Sequence, residues 1–188
     1  IYNTLVACKA TQLQSLSVLI NESEAKVEPE EFKALFTTLP NITSFVDNFL
    51  VDEDLIAALP DHLTKLEIAH GSTDLSHLTN LVSLGFSLPK ERVTLQKNGK
   101  VFSQRLNHVI VTLSKKSEEW YNNLDSSIEW LFNALLPVTT LKSLKVHWIR
   151  HESDATHEQG IFCKTSLADL GRALGIAAAL EISEYTLG

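Results

Sequence analysis

The sequence predicts an α/β solenoid, and three observations carry that prediction. A short apolar box of the form Leu-x-x-Leu-x-Val/Ile recurs seven times, centred on Leu16, Phe45, Leu66, Leu84, Val109, Leu144 and Leu180. Between the boxes the hydrophobic period lengthens from that of a strand to that of a helix. Within them, polar residues such as Ser17, Lys65, Glu67, Lys145 and His147 alternate with the apolar ones, so one side of each strand faces water. A unit this small cannot bury its own apolar face, and neighbouring units must stack to do it.

The elements follow in order. Leu13–Val18 is the first strand. Pro29-Glu30-Glu31 opens a helix that places Phe32, Leu35 and Phe36 on one face, with proline and acids at the N-terminus where a helix favours them. Ile42–Asp47 is a second strand with an acid at an apolar position. A helix over Asp52–Leu59 stops before Pro60, and Leu63–Ile68 and Leu81–Phe86 are strands, with Leu75 and Leu78 between them. Over 88–103 the rhythm breaks: Asn98-Gly99 between Val93, Leu95 and Val101 predicts an inserted hairpin. Leu106–Val111 is the next strand. An amphipathic helix from Ser117 to Leu135 ends before Pro137, and Leu141–Val146 returns to strand. A polar loop over His151–Gly160, a helix over Thr165–Leu174 ending near Gly175, and a degenerate box over Ala177–Ile182 complete the chain. One domain over residues 1–188 is expected, with both ends open to continuation. A doubly wound α/β domain also alternates helix and strand, but its strands read as nearly unbroken apolar runs, which these do not.

Composition narrows the function. A formal charge of -7 and a pI near 5.5 argue against a nucleic-acid or anionic-membrane surface. No apolar run approaches the roughly 20 residues of a membrane helix, so the chain reads as soluble. Cys8 and Cys163 fall in the first and last units, too far apart in a solenoid to bridge, and are expected as free thiols. A cytoplasmic or nuclear setting is favoured, although the triplets at Asn21 and Asn41 are glycosylation acceptors that keep secretion open.

The stretch Leu13-Gln14-Ser15-Leu16-Ser17-Val18-Leu19-Ile20-Asn21 resembles the complete pattern of the leucine-rich-repeat superfamily, including its asparagine. The other boxes resemble its apolar part and end instead in Leu50, Gly71, Pro89, Ser114, Ile149 and Tyr185. Register marks lie from 18 residues (66 to 84) to 36 residues (144 to 180) apart, an irregularity similar to the ribonuclease-inhibitor-like branch and to the repeat regions of F-box substrate receptors. The resemblance implies about seven irregular repeats, a curved parallel sheet on the concave side and helices on the convex side. It implies a protein-binding scaffold, in the F-box case the substrate-recognition part of a larger receptor. No F-box-like helical module is present in these residues.

In such a solenoid the outward strand residues would meet the partner: Lys65, Glu67, Ser83, Gly85, Ser87, His108, Ile110, Thr112, Ser143, Lys145, His147 and Glu181. No catalytic constellation, cofactor or metal site is expected. The cysteines lack a nearby histidine, there is no Gly-x-Ser-x-Gly elbow, and the glycines form no phosphate loop. Two alternatives remain: a secreted glycan-binding or defence-related repeat protein, and a metal-assisted hydrolase built on His147, His151, Glu152, Asp154, His157 and Glu158.

Overall fold

The computed structural model describes residues 11–18, 29–47, 53–68, 74–88, 96–97, 100–101, 103–114, 124–151, 167–176 and 179–187. Its centre is a seven-stranded, all-parallel sheet in the order β1-β2-β3-β4-β7-β8-β9. The strands are β1 Ser15–Val18, β2 Ser44–Asp47, β3 Lys65–Ile68, β4 Ser83–Leu88, β7 His108–Ser114, β8 Ser143–His151 and β9 Leu180–Leu187. A separate antiparallel pair, β5 Gln96–Lys97 and β6 Lys100–Val101, lies within the stretch where an inserted hairpin is expected. Helices α1 Pro29–Thr38, α2 Glu53–Ala57 and α3 Leu124–Leu135, with helical residues 167–173, supply the α component.

The strand order is monotonic: each strand of this sheet pairs with the next one along the chain. A doubly wound sheet reverses its order at a switch point, and this one does not. Parallel crossovers share one hand, so a monotonic order favours connections over one face. The burial pattern agrees. Leu16, Phe45, Leu66, Leu84, Val109 and Leu144 pair laterally in one row and are all buried. Two residues on, Val18, Asp47, Ile68, Phe86, Val111 and Val146 form a second buried row. The intervening residues of these strands are half-buried or exposed, apart from Gly85.

The helices seat on the buried rows. Glu30 and Glu31 occupy the first turn of α1, and at its end Thr37 and Thr38 bond back to the carbonyls of Lys33 and Ala34 before Pro40. Its apolar face carries Phe32, Leu35 and Phe36. Phe32, Phe36 and Phe45 meet edge to face, with centroids 4.9, 5.7 and 5.3 Å apart, and this trio fixes α1 to β2. From α3, Trp130 sets its edge against Phe86 at 6.0 Å, and Leu131 and Leu135 are buried. Burial of each such side chain contributes roughly 1.5 to 3 kcal/mol.

Two elements differ from expectation. The helix before β3 is five residues long, because Ala58 and Leu59 already turn, with their N–H groups bonded to the carbonyls of Leu55 and Ile56. Between β3 and β4 the described residues 74–82 form turns and no helix. Asp47, the acid at an apolar position, is only 2% exposed in the second buried row and has a polar partner there.

One hydrogen-bond device recurs at the strand entrances. Two successive N–H groups converge on one carbonyl of the preceding unit: Thr43 and Ser44 on Gln14, Thr64 and Lys65 on Thr43, Val82 and Ser83 on Thr64, Asn107 and His108 on Val82, Lys142 and Ser143 on Asn107. These bonds measure 2.7 to 3.1 Å. Side chains reinforce them. Asn41 donates to the Thr11 carbonyl at 2.6 Å, Asn80 to Asp61 at 3.1 Å and Thr140 to Leu106 at 2.6 Å. At Ser103 a fully buried hydroxyl reaches the carbonyls of Thr79 at 3.1 Å and Leu81 at 2.6 Å, and accepts from the Arg105 N–H at 3.3 Å.

Candidate binding face

The residues between the buried rows make up the open face of the sheet. Lateral pairing sorts them into lines: Ser15, Ser44, Lys65, Ser83, His108 and Ser143 first; Ser17, Val46, Glu67, Gly85, Ile110, Lys145 and Glu181 next; then Ser87, Thr112, His147 and Ser183. All eleven residues named from the sequence as partner contacts, and Gly85 with them, therefore stand on this one face. At about 4.8 Å between strands it is about 29 Å across.

Its charges are tied together in pairs. On β3, Lys65 Nζ lies 2.9 Å from Glu67 Oε1, and across β8 and β9 Lys145 Nζ lies 2.7 Å from Glu181 Oε2. The hydrogen bond and positive charge of Lys145 hold the Glu181 carboxyl below the ordinary carboxylate range, against a small opposing effect of burial, and His147 adds to the lowering. Between the pairs, His108 Nδ1 and Ser143 Oγ are 2.7 Å apart.

Gly85 breaks the alternation of side chains on β4. An ideal Cβ built there would come within 2.6 Å of Glu67 Cγ, so the Glu67 stem leans across the space that glycine leaves empty. Glycine weakens a strand unless something else needs the room, and here the neighbouring side chain takes it.

The sequence reading missed Tyr185, which is 48% exposed and lies against the His147 ring with centroids 5.7 Å apart. The strand predicted over Ala177–Ile182 stops short of it, whereas β9 runs to Leu187 and its partner β8 to His151. The usable signal was the continued alternation Glu181, Ser183, Tyr185.

Of the residues named for the metal-assisted alternative, Glu152, Asp154, His157 and Glu158 lie outside the described residues, as do Cys8, Cys163 and Asn21. Among the described residues no three His, Cys, Asp or Glu side chains gather in a metal-binding group. His147 itself is a strand residue and His151 the last residue of that strand. No helix among the described residues is long and apolar enough to cross a membrane.

The fold and the face define an α/β protein whose seven-stranded parallel sheet has an open, polar face with paired charges. No family model matches the chain, and no curated protein or solved structure matches it.

Proposed function

We propose that the chain is an irregular leucine-rich-repeat-type solenoid that binds a protein partner across the concave, open face of its sheet. Lateral pairing of all seven register marks, from Leu16 to Leu180, supports the repeat reading, as does the recurring shared carbonyl at the strand entrances. The observation that carries the functional reading is the open face itself, a rigid sheet presenting side chains from seven successive units in fixed lateral register. Hydroxyls, imidazoles and paired charges share the face with an exposed aromatic, Tyr185, on its last strand, a composition suited to polar recognition.

The test is affinity capture from the native source, comparing wild type with Glu67→Lys/Lys145→Glu. That double variant reverses one charge in each ion pair without touching the buried rows. Loss of specific partners is expected while the circular dichroism spectrum of the folded chain is retained. An identical partner set would defeat the proposal. Small-angle scattering adds a check on shape, because a spherical envelope contradicts a curved solenoid.

A further inference from the structure

The sheet ends in β1 on one side and β9 on the other, and the two ends share one shortfall. At the first end, Leu13 holds the place two residues before its strand that Ile42, Leu63, Leu81 and Leu106 hold before theirs. Those four are fully buried, whereas Leu13 is half-buried. At the other end, Leu180 and Ile182 continue the rows of Leu144 and Val146, which are fully buried, yet both are themselves half-buried. Both ends thus keep apolar surface that an interior unit gives to its neighbour. Neither Ser15–Val18 nor Leu180–Leu187 contains the lysine or proline with which sheet edges are commonly blunted.

We propose that these two ends are the complementary halves of one contact, through which β9 of one copy of this chain pairs in parallel with β1 of a second copy. Continuity of register supports it. β8 meets β9 with Leu144 opposite Leu180 and Val146 opposite Ile182, and β1 meets β2 with Leu16 opposite Phe45. The same step taken once more sets Leu180 opposite the second copy's Leu16, Glu181 opposite its Ser17 and Ile182 opposite its Val18, so both apolar rows run on unbroken. Pairing β9 with itself matches less well, because an antiparallel arrangement centred on Ser183 sets Ile182 of each copy against Glu184 of the other on the inward side of the sheet. A contact between unlike ends does not close on itself, so it builds open chains of copies rather than a dimer. The open face is left clear, and the inference stands apart from what that face binds.

Sedimentation velocity of the whole chain at rising concentration is expected to show species beyond the dimer. Leu13→Lys and Ile182→Lys each put a charge into one half of the contact at a half-buried side chain, and each variant should stay monomeric with the circular dichroism spectrum of the wild type. Mixed in equal amounts they should form a dimer and nothing larger, since the first retains an intact β9 end and the second an intact β1 end. Only folded chains can complement each other in this way, so the dimer also reports the integrity of both variants. Should a lysine variant lose the wild-type spectrum, Leu13→Ser and Ile182→Ser read the same ends without adding charge, and each should weaken association at least about tenfold through lost apolar area. A wild type that stays monomeric throughout, or stops at a dimer, would overturn the inference. So would a mixture of folded lysine variants no heavier than its components, or association unchanged in the serine variants.

Discussion

Phe45→Ala tests both the packing of α1 and the assignment of faces. Phe45 is fully buried in the first inward row, between Leu16 and Leu66, and touches Phe32 and Phe36 edge to face at 5.7 and 5.3 Å. Truncation removes the transfer free energy of a phenyl ring, leaves a cavity and loses two aromatic contacts; comparable buried substitutions cost about 3 to 5 kcal/mol. The next residue, Val46, points to the open face and is half-buried, so Val46→Ala should cost less than about 1 kcal/mol. Urea denaturation followed by circular dichroism reads the difference. With a slope of about 2 kcal/mol/M, Phe45→Ala should lower the midpoint by roughly 2 M and Val46→Ala by less than about 0.5 M. Because a one-residue slip exchanges the faces of a strand, equal or inverted effects would refute the register of β2 and the core built on it.

Three further outcomes are expected. Ser103→Ala deletes a buried hydroxyl that serves two carbonyls and one N–H, and should cost about 1 to 3 kcal/mol in the same assay, whereas a serine on the open face such as Ser87 should tolerate alanine within about 0.5 kcal/mol. Gly175→Ala should cost about 1 kcal/mol by thermal unfolding: its φ of 70° is left-handed and a Cβ there meets nothing within 4 Å, so the cost is backbone strain alone. Glu181 should titrate by carbon-detected NMR below an ordinary glutamate. A depressed folded value means its stabilising contribution is present above the unfolded value and is lost as pH falls through the folded one, so Lys145→Gln should raise the Glu181 midpoint and flatten the acid limb of the stability profile. An unmoved midpoint in that variant would show that Lys145 is not the cause.

The strands were legible because alternation in Leu66-Glu67-Ile68 or Leu144-Lys145-Val146 states both the element and its two faces. The end of the last helical segment was legible at Gly175: the Ile176 N–H reaches the Gly171 carbonyl at 3.0 Å and the Gly175 N–H that of Arg172 at 3.1 Å, the Schellman closure that a left-handed glycine permits. The asparagine and threonine bonds at the turns were not legible, since Asn41 reaches back 30 residues and Thr140 reaches back 34. Cross-strand partners are likewise invisible without register. Lys145 and Glu181 become neighbours only when β8 and β9 pair, and nothing in the strand Ser83–Leu88 alone says that Gly85 accommodates a glutamate from β3. Strand length was the other blind spot. Polar residues such as Thr112 and Ser183 read as ends of boxes, yet β7, β8 and β9 continue past them because lateral pairing satisfies their backbone groups.

The relay of shared carbonyls from Gln14 to Asn107 separates two measures that linear sequence keeps together. From β1 to β8 the chain length between register marks ranges from 18 to 35 residues, yet a pair of successive N–H groups closes on one carbonyl at each strand entrance from β2 to β8. Differences in connection length therefore leave the strand entrances unchanged, and the step from one strand to the next across the open face stays constant. Lengthening or replacing a connection between strands should leave the spacing of Lys65, His108 and Lys145 as it is, so the connections are free to vary in length while the open face remains a ruler.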